Sequence, residues 1–574
     1  MPVASGPKNQ TTLKYIFVSG GVLSSLGKGI VTASLALLLK SRGFRVSIVK
    51  CENYLNIDSG LINPIEHGDP FLCEDGTESD MDLGTYEKFL GQEMGKANFV
   101  TMGQIYKTVI DRERAFGYNG EDVEMPHVCG EIIERINQAA VKDNAQIVLV
   151  ELGGTAGEYL NILYYEAARI LRYTHKQRVI HVHVSYLPTP HHIGEPKTKP
   201  TQLSVQTLNS LGIQPDFIVA RAESRMDQRR RDRFALFCNV ETSHIIDGPD
   251  VNNVYEIPLI FKEQQFDELI LEELKLPQTV KENEKNGVVI MKKWDAMVAK
   301  AKASKKKTLR IAVVGKYLTT GDYQLKDSYA ALIDAINHAS VAEEVETEIL
   351  WVDAAKIEKD TKRSNAQLKE FFGHIDGLIV PIGWGERGVE GKIRSIQYAR
   401  EEKIPYLGLC YGMQLAMVEF ARNVVGWKDA HTQEVAPNSK HQVVHMIPDQ
   451  QRILENRAYG GTMRLGSWEC IVKPGTIAFE SYKKHGQMID TKKGLTAERH
   501  RHRYECNDEL MPELEKRGVI VSGRSVKEHL VELIELPKTM HPFFVGTQGH
   551  PEYKSTPLKP HALFVEFIHA CKAL

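Results

Sequence analysis

Apolar runs and amphipathic stretches alternate along the first half of the chain, and the period of each run predicts its element. Tyr15-Ile16-Phe17-Val18 is a continuous β-branched and aromatic run, and a Gly-rich turn separates it from a helical pattern over Ile30 to Lys40. Further strands are predicted at Phe44 to Lys50, Gln146 to Val150, Val179 to Val184 and Phe217 to Ala220. Strands that are apolar on both faces, with helices between them, point to an α/β fold with a doubly wound parallel sheet. The periodicity weakens after Pro277. Lys281 to Lys307, ending in Lys302-Ala303-Ser304-Lys305-Lys306-Lys307, is charged and poor in apolar residues, which predicts a connection carrying a helix, with a solvated lysine cluster. A new buried strand starts at Leu309-Arg310-Ile311-Ala312-Val313-Val314-Gly315, and strands near Ile349, Leu378, Tyr406 and Phe544 extend a second α/β unit. The expected division is 1–276, a connection at 277–307, and 308–574.

Composition narrows the function classes. Lys+Arg 72 against Asp+Glu 74 gives a net charge of -2, so nothing global points to nucleic acid or a membrane surface, and a phosphate site must be built locally. No apolar run reaches the ~18 residues of a membrane span. Met1 to Thr12 is polar and lacks the basic-then-apolar layout of a signal peptide. The 8 cysteines are scattered without a C-x-x-C pair, which speaks against zinc and disulfides and for a reducing, cytoplasmic setting.

The first candidate chemistry lies between the first strand and helix. Ser19-Gly20-Gly21-Val22-Leu23-Ser24-Ser25-Leu26-Gly27-Lys28-Gly29 can cradle phosphates with backbone N–H groups, the helix N-terminus and the Lys28 ammonium. It is not a regular P-loop, because Gly21 to Gly27 is one residue too long and Gly29 stands where the magnesium-binding hydroxyl belongs. Carboxylates must then hold the metal. Asp82, read within an Asp80-Met81-Asp82-Leu83-Gly84 loop, and Glu151, at the end of a strand, suit magnesium. Gly194-Glu195-Pro196-Lys197-Thr198-Lys199-Pro200-Thr201-Gln202 reads as a stiff loop suited to a triphosphate, and Arg233 and the Arg229-Arg230-Arg231 run add charge nearby or merely cover a helix surface. His181 and His183 share one face of a strand and His191 and His192 follow in a loop; satisfied or solvated histidines fit better than a metal site.

The second lies far downstream. Pro405-Tyr406-Leu407-Gly408-Leu409-Cys410-Tyr411-Gly412-Met413-Gln414 runs from an apolar strand through Gly-x-Cys-x-Gly into a helical pattern, the thiol form of a nucleophile elbow. The helix N-terminus favours a thiolate. Gln548-Gly549-His550-Pro551-Glu552 offers a base and its orienting acid. Cys410, His550 and Glu552 resemble the triad of class I glutamine amidotransferases, which release ammonia from glutamine.

The remaining motifs say where the ammonia goes. Gly20 to Gly29, Tyr54-Leu55-Asn56-Ile57-Asp58, Asp80-x-Asp82-Leu83-Gly84-x-Tyr86-Glu87 and Lys197-Thr198-Lys199-Pro200-Thr201-Gln202 resemble the CTP synthase family. So do Ala235-Leu236-Phe237-Cys238-Asn239-Val240, Gly461-Thr462-Met463-Arg464-Leu465-Gly466 and Glu498-Arg499-His500-Arg501-His502-Arg503-Tyr504-Glu505, in the family's order. The resemblance implies a P-loop-like amidoligase domain followed by a class I glutaminase domain. It implies that ATP phosphorylates the 4-oxygen of UTP and that ammonia replaces it, giving CTP. Ser25, Leu26, Gly27, Lys28, Gly29 and Ile30 would hold ATP phosphates, with Asp82 through the metal and Asp250 and Val251 near adenine. Ser24, Lys50, Glu158, Lys197 to Gln202 and Arg233 would hold UTP or CTP, and Asp82 and Glu151 would hold Mg2+. Gly383, Tyr411, Gly412, Met413, Gln414, Glu434 and Arg501 would bind glutamine, with backbone N–H groups near Gly383 and Tyr411 as the oxyanion hole. GTP as allosteric activator near Gly460 to Gly466, CTP as feedback inhibitor, a shielded ammonia route, a homotetramer and filament formation are further implications.

Several positions depart from the family pattern. Lys50-Cys51-Glu52-Asn53-Tyr54 keeps only the lysine and tyrosine of Lys-Leu-Asp-Pro-Tyr; Ile382 and Trp384 replace Gly and Phe; Tyr411 replaces Leu; Gly549 replaces Phe. Gly153-Gly154-Thr155-Ala156-Gly157-Glu158-Tyr159-Leu160 ends in an apolar residue where the family has a carboxylate of its CTP site, which predicts weakened or re-formed feedback. Two other readings stay open: an amidoligase acting on a cofactor acid, against which the Lys197 to Gln202 loop speaks, and a filament-forming scaffold with residual catalysis.

Overall fold

The computed structural model describes residues 13–63, 68–190, 192, 194–281, 283–303, 307–316, 319–320, 323–324, 327–383, 385–455 and 459–574. Met1 to Thr12, His191, Ser304 to Lys306 and Trp384, which entered the sequence reading, lie outside them. The chain forms two compact units, one of residues up to Asp58 with Asp82–Val298, the other of Ser59–Met81 with Ala299–Leu574.

The first unit is built on seven parallel strands. They are β1 (Lys14–Gly21), β2 (Val46–Glu52), β3 (Phe99–Thr101), β4 (Ile147–Leu152), β5 (Val179–Tyr186), β6 (Phe217–Ala222) and β7 (Ile245–Pro249), in the order β3-β2-β4-β1-β5-β6-β7. Both faces of β1 and β4 are buried, so the near-continuous apolar runs seen in sequence are what a sheet covered on both sides requires. Helix α1 (Lys28–Ser41) follows β1 across the phosphate loop. Asp80 to Gly84 is not a solvated loop. Asp80 is buried and accepts a hydrogen bond from Ser59 at 2.7 Å, and Asp82 sits in the first turn of α2 (Met81–Leu90), where a carboxylate complements the helix dipole. Likewise the triphosphate loop is shorter than read, because α3 (Lys199–Ser210) begins inside it with Pro200 in its first turn. The Arg229 to Arg231 run does lie on a helix, α4 (Gln228–Cys238). Helix α5 (Glu284–Lys302) buries Met291, Trp294 and Val298, and the Trp294 indole donates to Tyr255 O at 2.8 Å. Its charged sequence hid a packed stripe.

In the second unit nine strands form one mixed sheet. They are β8 (Thr308–Gly315), β9 (Glu346–Asp353), β10 (Gly377–Val380), β11 (Tyr406–Leu409), β12 (Arg464–Val472), β13 (Leu495–His502), β14 (Ile520–Ser525), β15 (Val531–Glu535) and β16 (Phe544–Thr547). The order is β9-β8-β10-β11-β16-β15-β14-β12-β13, parallel from β9 to β16 and antiparallel beyond. Residues 59–81 join this unit through β13. Arg499 donates to Glu74 (2.8 Å) and Leu72 O (2.9 Å), and its guanidinium stacks over Phe71. Among the described residues no helix is long and apolar enough to cross a membrane.

Candidate active sites

In the first unit the phosphate loop leaves β1 with positive φ at Val22 (77°), Ser25 (58°) and Gly27 (84°), a winding that turns backbone N–H groups toward one side. Ser24 and Ser25 are exposed, Leu26 and Lys28 are buried, and Lys28 Nζ donates to Gly154 O at 2.8 Å. Arg221 at the end of β6 donates to Leu26 O (3.1 Å) and pairs with Asp250 (2.8 Å), tying the loop to the segment assigned to adenine.

Behind the loop, buried Lys50 on β2 reaches Asp82, Glu151 (2.8 Å) and Glu52 (3.1 Å), while Tyr86 also donates to Glu151. Burial opposes the Lys50 charge, but the three carboxylates outweigh it and hold the ammonium well above its ordinary pKa. Lys28 is pushed the other way, by burial and by the Lys50 charge. Three carboxylates against two ammonium groups leave one negative charge for a cation to offset. A side chain at Gly29 would lie 2.4 Å from Asp82 Oδ1 and 3.7 Å from Glu151 Oε2, so the two carboxylates converge beside the loop glycine. No cluster of three or more His, Cys, Asp or Glu among the described residues could hold a metal alone. Two convergent carboxylates completed by phosphate and water do suit magnesium.

The other residues expected to bind nucleotide are held in varying degree. Thr201 donates to Tyr186 O (2.9 Å) and Gln202 to Thr198 (3.1 Å), both buried, which fixes the first turn of α3. The Lys197 ammonium pairs with Glu195 at 3.4 Å, and Arg233 is exposed with its guanidinium over Phe237. Glu158 folds back on its own turn, accepting from Thr155 N and Oγ1 (2.7 Å each) and from Asn53 (3.0 Å). Leu160 beside it is exposed. His181 and His183 are satisfied core histidines: both bond Ser19 Oγ, and His183 also bonds Ser204. Burial holds both in the neutral form, His183 down to about 3.

In the second unit Cys410 ends β11 and caps α6 (Tyr411–Phe420) at φ 51°, ψ -101°, a strained conformation for a side-chain-bearing residue. Gly412 is required because any Cβ there would sit 2.0 Å from Val380 O. Cys410 N donates to Thr547 O on β16 at 2.7 Å, which brings the strand carrying His550 alongside the thiol. His550 Nδ1 bonds Glu552 Oε1 at 2.8 Å, and His550 N is fixed on Arg499 O at 2.8 Å. Burial disfavours the imidazolium, but the Glu552 carboxylate and the Cys410 thiolate reverse this and raise His550 to about 10.

The residues expected to bind glutamine are placed as follows. Glu434 accepts from Gly385 N at 2.9 Å, and burial raises its pKa. Gly383 follows a strand end that Lys392 of α7 (Val389–Glu401) holds from behind, its Nζ 2.9 Å from Pro381 O. The ammonium groups of Lys316 (4.9 Å) and Lys392 (5.6 Å) both lie over the buried Tyr411 ring. Gln414 donates to Tyr504 O (2.9 Å) and to Gln548 (3.1 Å), and Met413 packs in the core. Arg501 is buried with its guanidinium on Glu78.

Comparison with known proteins follows the same two halves. The N-terminal model of CTP synthase matches residues 14–276 and the class-I glutamine amidotransferase model matches 324–570. The CTP synthase of Caldanaerobacter subterraneus subsp. tengcongensis is 45% identical over 97% of this chain and 98% of its own. That of Carboxydothermus hydrogenoformans is 43% identical over the same shares. The chain belongs to the CTP synthase family. As a member it is a glutamine-hydrolysing ligase whose activity is glutamine-dependent CTP formation. A solved glutaminase domain of Trypanosoma brucei CTPS with bound acivicin is 34% identical over 46% of this chain and 94% of its own, with a TM-score of 0.40.

Within this CTP synthase family member several groups beside the sites carried no sequence signal. Arg221, Lys316 and Lys392 stand apart from the motifs, and Tyr86 was quoted only as a motif position; their partners are backbone carbonyls or residues distant in sequence, which spacing does not reveal. Gln548 was quoted only as part of the histidine motif. Its partner is the Cys410 thiol.

Proposed function

We propose that CTP forms here by two half-reactions carried by the residues above. In the second unit the Cys410 thiolate attacks the side-chain carboxamide carbon of glutamine, a C–S bond forms, and the C–N bond breaks as His550 delivers the thiol proton to departing ammonia. Water, deprotonated by His550, then cleaves the thioester to glutamate and restores the thiol. Glu552 holds the imidazole by Nδ1 and favours its charged form. Backbone N–H groups of Gly383 and Tyr411 face the developing oxyanion, each worth about 3 kcal/mol of barrier. Gly412, Met413 and Gln414 shape the glutamine pocket, Glu434 takes the amino group and Arg501 the carboxylate.

In the first unit the γ-phosphoryl group of ATP passes to the 4-oxygen of UTP, leaving ADP; ammonia then adds to carbon 4 and loses a proton, and the bond from carbon 4 to that oxygen breaks as phosphate departs, leaving CTP. A uracil carbonyl oxygen leaves only once a phosphoryl group is on it, so the residues' task is positioning and charge neutralisation. The loop from Ser25 to Ile30 encloses the ATP phosphates, with Asp250 and Val251 beside the base. Ser24, Lys50, Glu158, Lys197 to Gln202 and Arg233 receive UTP. Mg2+ on Asp82 and Glu151 would neutralise phosphate charge. GTP activation, CTP feedback at the UTP triphosphate pocket and a homotetramer belong to the same reading.

The observation that carries this reading is Cys410 on its strained elbow beside the buried His550–Glu552 pair. CTP formation is followed with glutamine and then with an ammonium salt, for wild type and Cys410→Ala. The variant should lose the glutamine reaction and keep the ammonium reaction. Glutamine-driven synthesis that survives in Cys410→Ala overturns the assignment.

A further inference from the structure

The buried amide of Gln548 faces the nucleophile. Gln548 Nε2 lies 3.5 Å from Cys410 Sγ, and Gln548 is 1% exposed. Which end of an amide faces a sulfur decides its chemistry, and here a chain of three partners fixes it. Tyr504 O can only accept, so Gln414, 2.9 Å away, turns its NH2 group toward it. The same NH2 group lies 3.1 Å from the Gln548 side chain, which must therefore present its oxygen. The Gln548 NH2 group is left pointing at Cys410 Sγ. A donor aimed at sulfur stabilises the thiolate over the thiol, since the charged sulfur is a far stronger acceptor than the neutral one.

We infer that Gln548 is a catalytic residue of the glutaminase reaction: its side-chain N–H holds Cys410 as a thiolate, and Gln414 and Tyr504 O fix the direction of that N–H. The inference rests on Cys410 being the nucleophile. Electrostatics at the site support it, because His550 and Gln548 contribute in different ways. His550 receives the proton and Gln548 holds the charge left behind, and neither can do the other's work: an amide does not take up a proton at neutral pH. Both residues come from the stretch after β16, whose Thr547 O fixes Cys410 N. One strand end thus sets donor, base and nucleophile together.

Two near-isosteric variants test this. Gln548→Met removes the donor, and Gln548→Glu places an acceptor on the sulfur. The fraction of thiolate is read from its ultraviolet absorbance against pH, with Cys410→Ser as blank, and glutamine kcat and KM are measured beside ammonium-driven CTP formation. Gln548→Met should raise the thiolate midpoint by about one unit and lower glutaminase kcat about tenfold, with KM within about twofold. Gln548→Glu should do more on both counts, while ammonium-driven synthesis stays intact in each. An unchanged midpoint and kcat in Gln548→Met, or equal losses in the two half-reactions of both variants, overturns the inference. Retained glutaminase activity in Cys410→Ala would instead overturn the nucleophile assignment, so the two failures are distinguishable.

Discussion

Arg501 donates through Nε to Glu78 at 2.6 Å, and both side chains are buried. The guanidinium assigned to the glutamine carboxylate is thus already engaged by a carboxylate from residues 59–81, with Gly60 O at 3.2 Å and Asp69 at 3.9 Å beside it. A substrate carboxylate must compete with Glu78 for it. Glu78→Gln should lower KM for glutamine by freeing the cation, and should destabilise the protein by about 3 kcal/mol because a buried charge loses its partner. Glutaminase kinetics and urea unfolding measure the two effects. A KM that stays put or rises would show that Arg501 does not hold the substrate.

The raised pKa of His550 has a stability consequence. The folded value of about 10 lies above the ordinary 6.5, so the folded state binds this proton more tightly than the unfolded chain does. Its contribution should be complete below pH 6.5 and fade as pH rises toward 10. Thermal unfolding across that window should show the decline in wild type and a flatter profile in Glu552→Gln.

The buried pair His181 and His183 acts with the opposite sign. Both are held below 6.5, His183 at about 3, so the unfolded chain gains protons that the folded chain refuses. Stability should be intact above pH 6.5 and fall as the solution is acidified. About 1.5 units below that value each histidine should cost about 2 kcal/mol. Urea unfolding of His183→Gln should show a shallower acid slope than wild type; an identical slope would refute the assignment.

Metal dependence should separate the two half-reactions. Asp82→Asn and Glu151→Gln should each reduce ammonium-driven CTP formation by about 100-fold or more, since a phosphoryl-transfer cation loses one of two protein carboxylates. Glutamate release from glutamine should survive in both variants and in the presence of a chelator. Equal loss of glutaminase would argue that these acids serve folding.

Feedback by CTP should respond to Leu160. The side chain is exposed next to Glu158, which is occupied by Thr155 and Asn53 and has little left for a cytosine amine. Leu160→Glu should lower the CTP concentration needed for half inhibition, at unchanged KM for ATP. Inhibition at the same concentration before and after the change would sink the idea.

Much of the fold was legible because parallel sheets covered on both faces write themselves as unbroken apolar runs. The strands at Tyr15, Val179, Phe217, Leu309 and Tyr406 fall where those runs do. Asp80 to Gly84 misled for a physical reason: two acids and a glycine resemble a solvated turn, yet Asp82 gains from a helix N-terminus and from Lys50. The charged stretch after Lys281 does carry the helix expected there, at Glu284–Lys302, but not its packing, since only a stripe containing Met291, Trp294 and Val298 is buried. The grouping of residues 59–81 with Ala299–Leu574 has no local signature either, because Glu74 and Glu78 find Arg499 and Arg501 more than 400 positions away.

The order of residues alone determined the two α/β units, the phosphate loop, the thiol elbow and the family, because each is written in neighbouring positions through period, glycine placement and motif spacing. Tertiary structure alone decided how the charges are settled: that Lys50 gathers three carboxylates, that Glu78 occupies Arg501, and that an amide from β16's end faces Cys410. Those outcomes depend on distances across the fold and on burial, which strengthens every electrostatic term, and neither is encoded in local sequence.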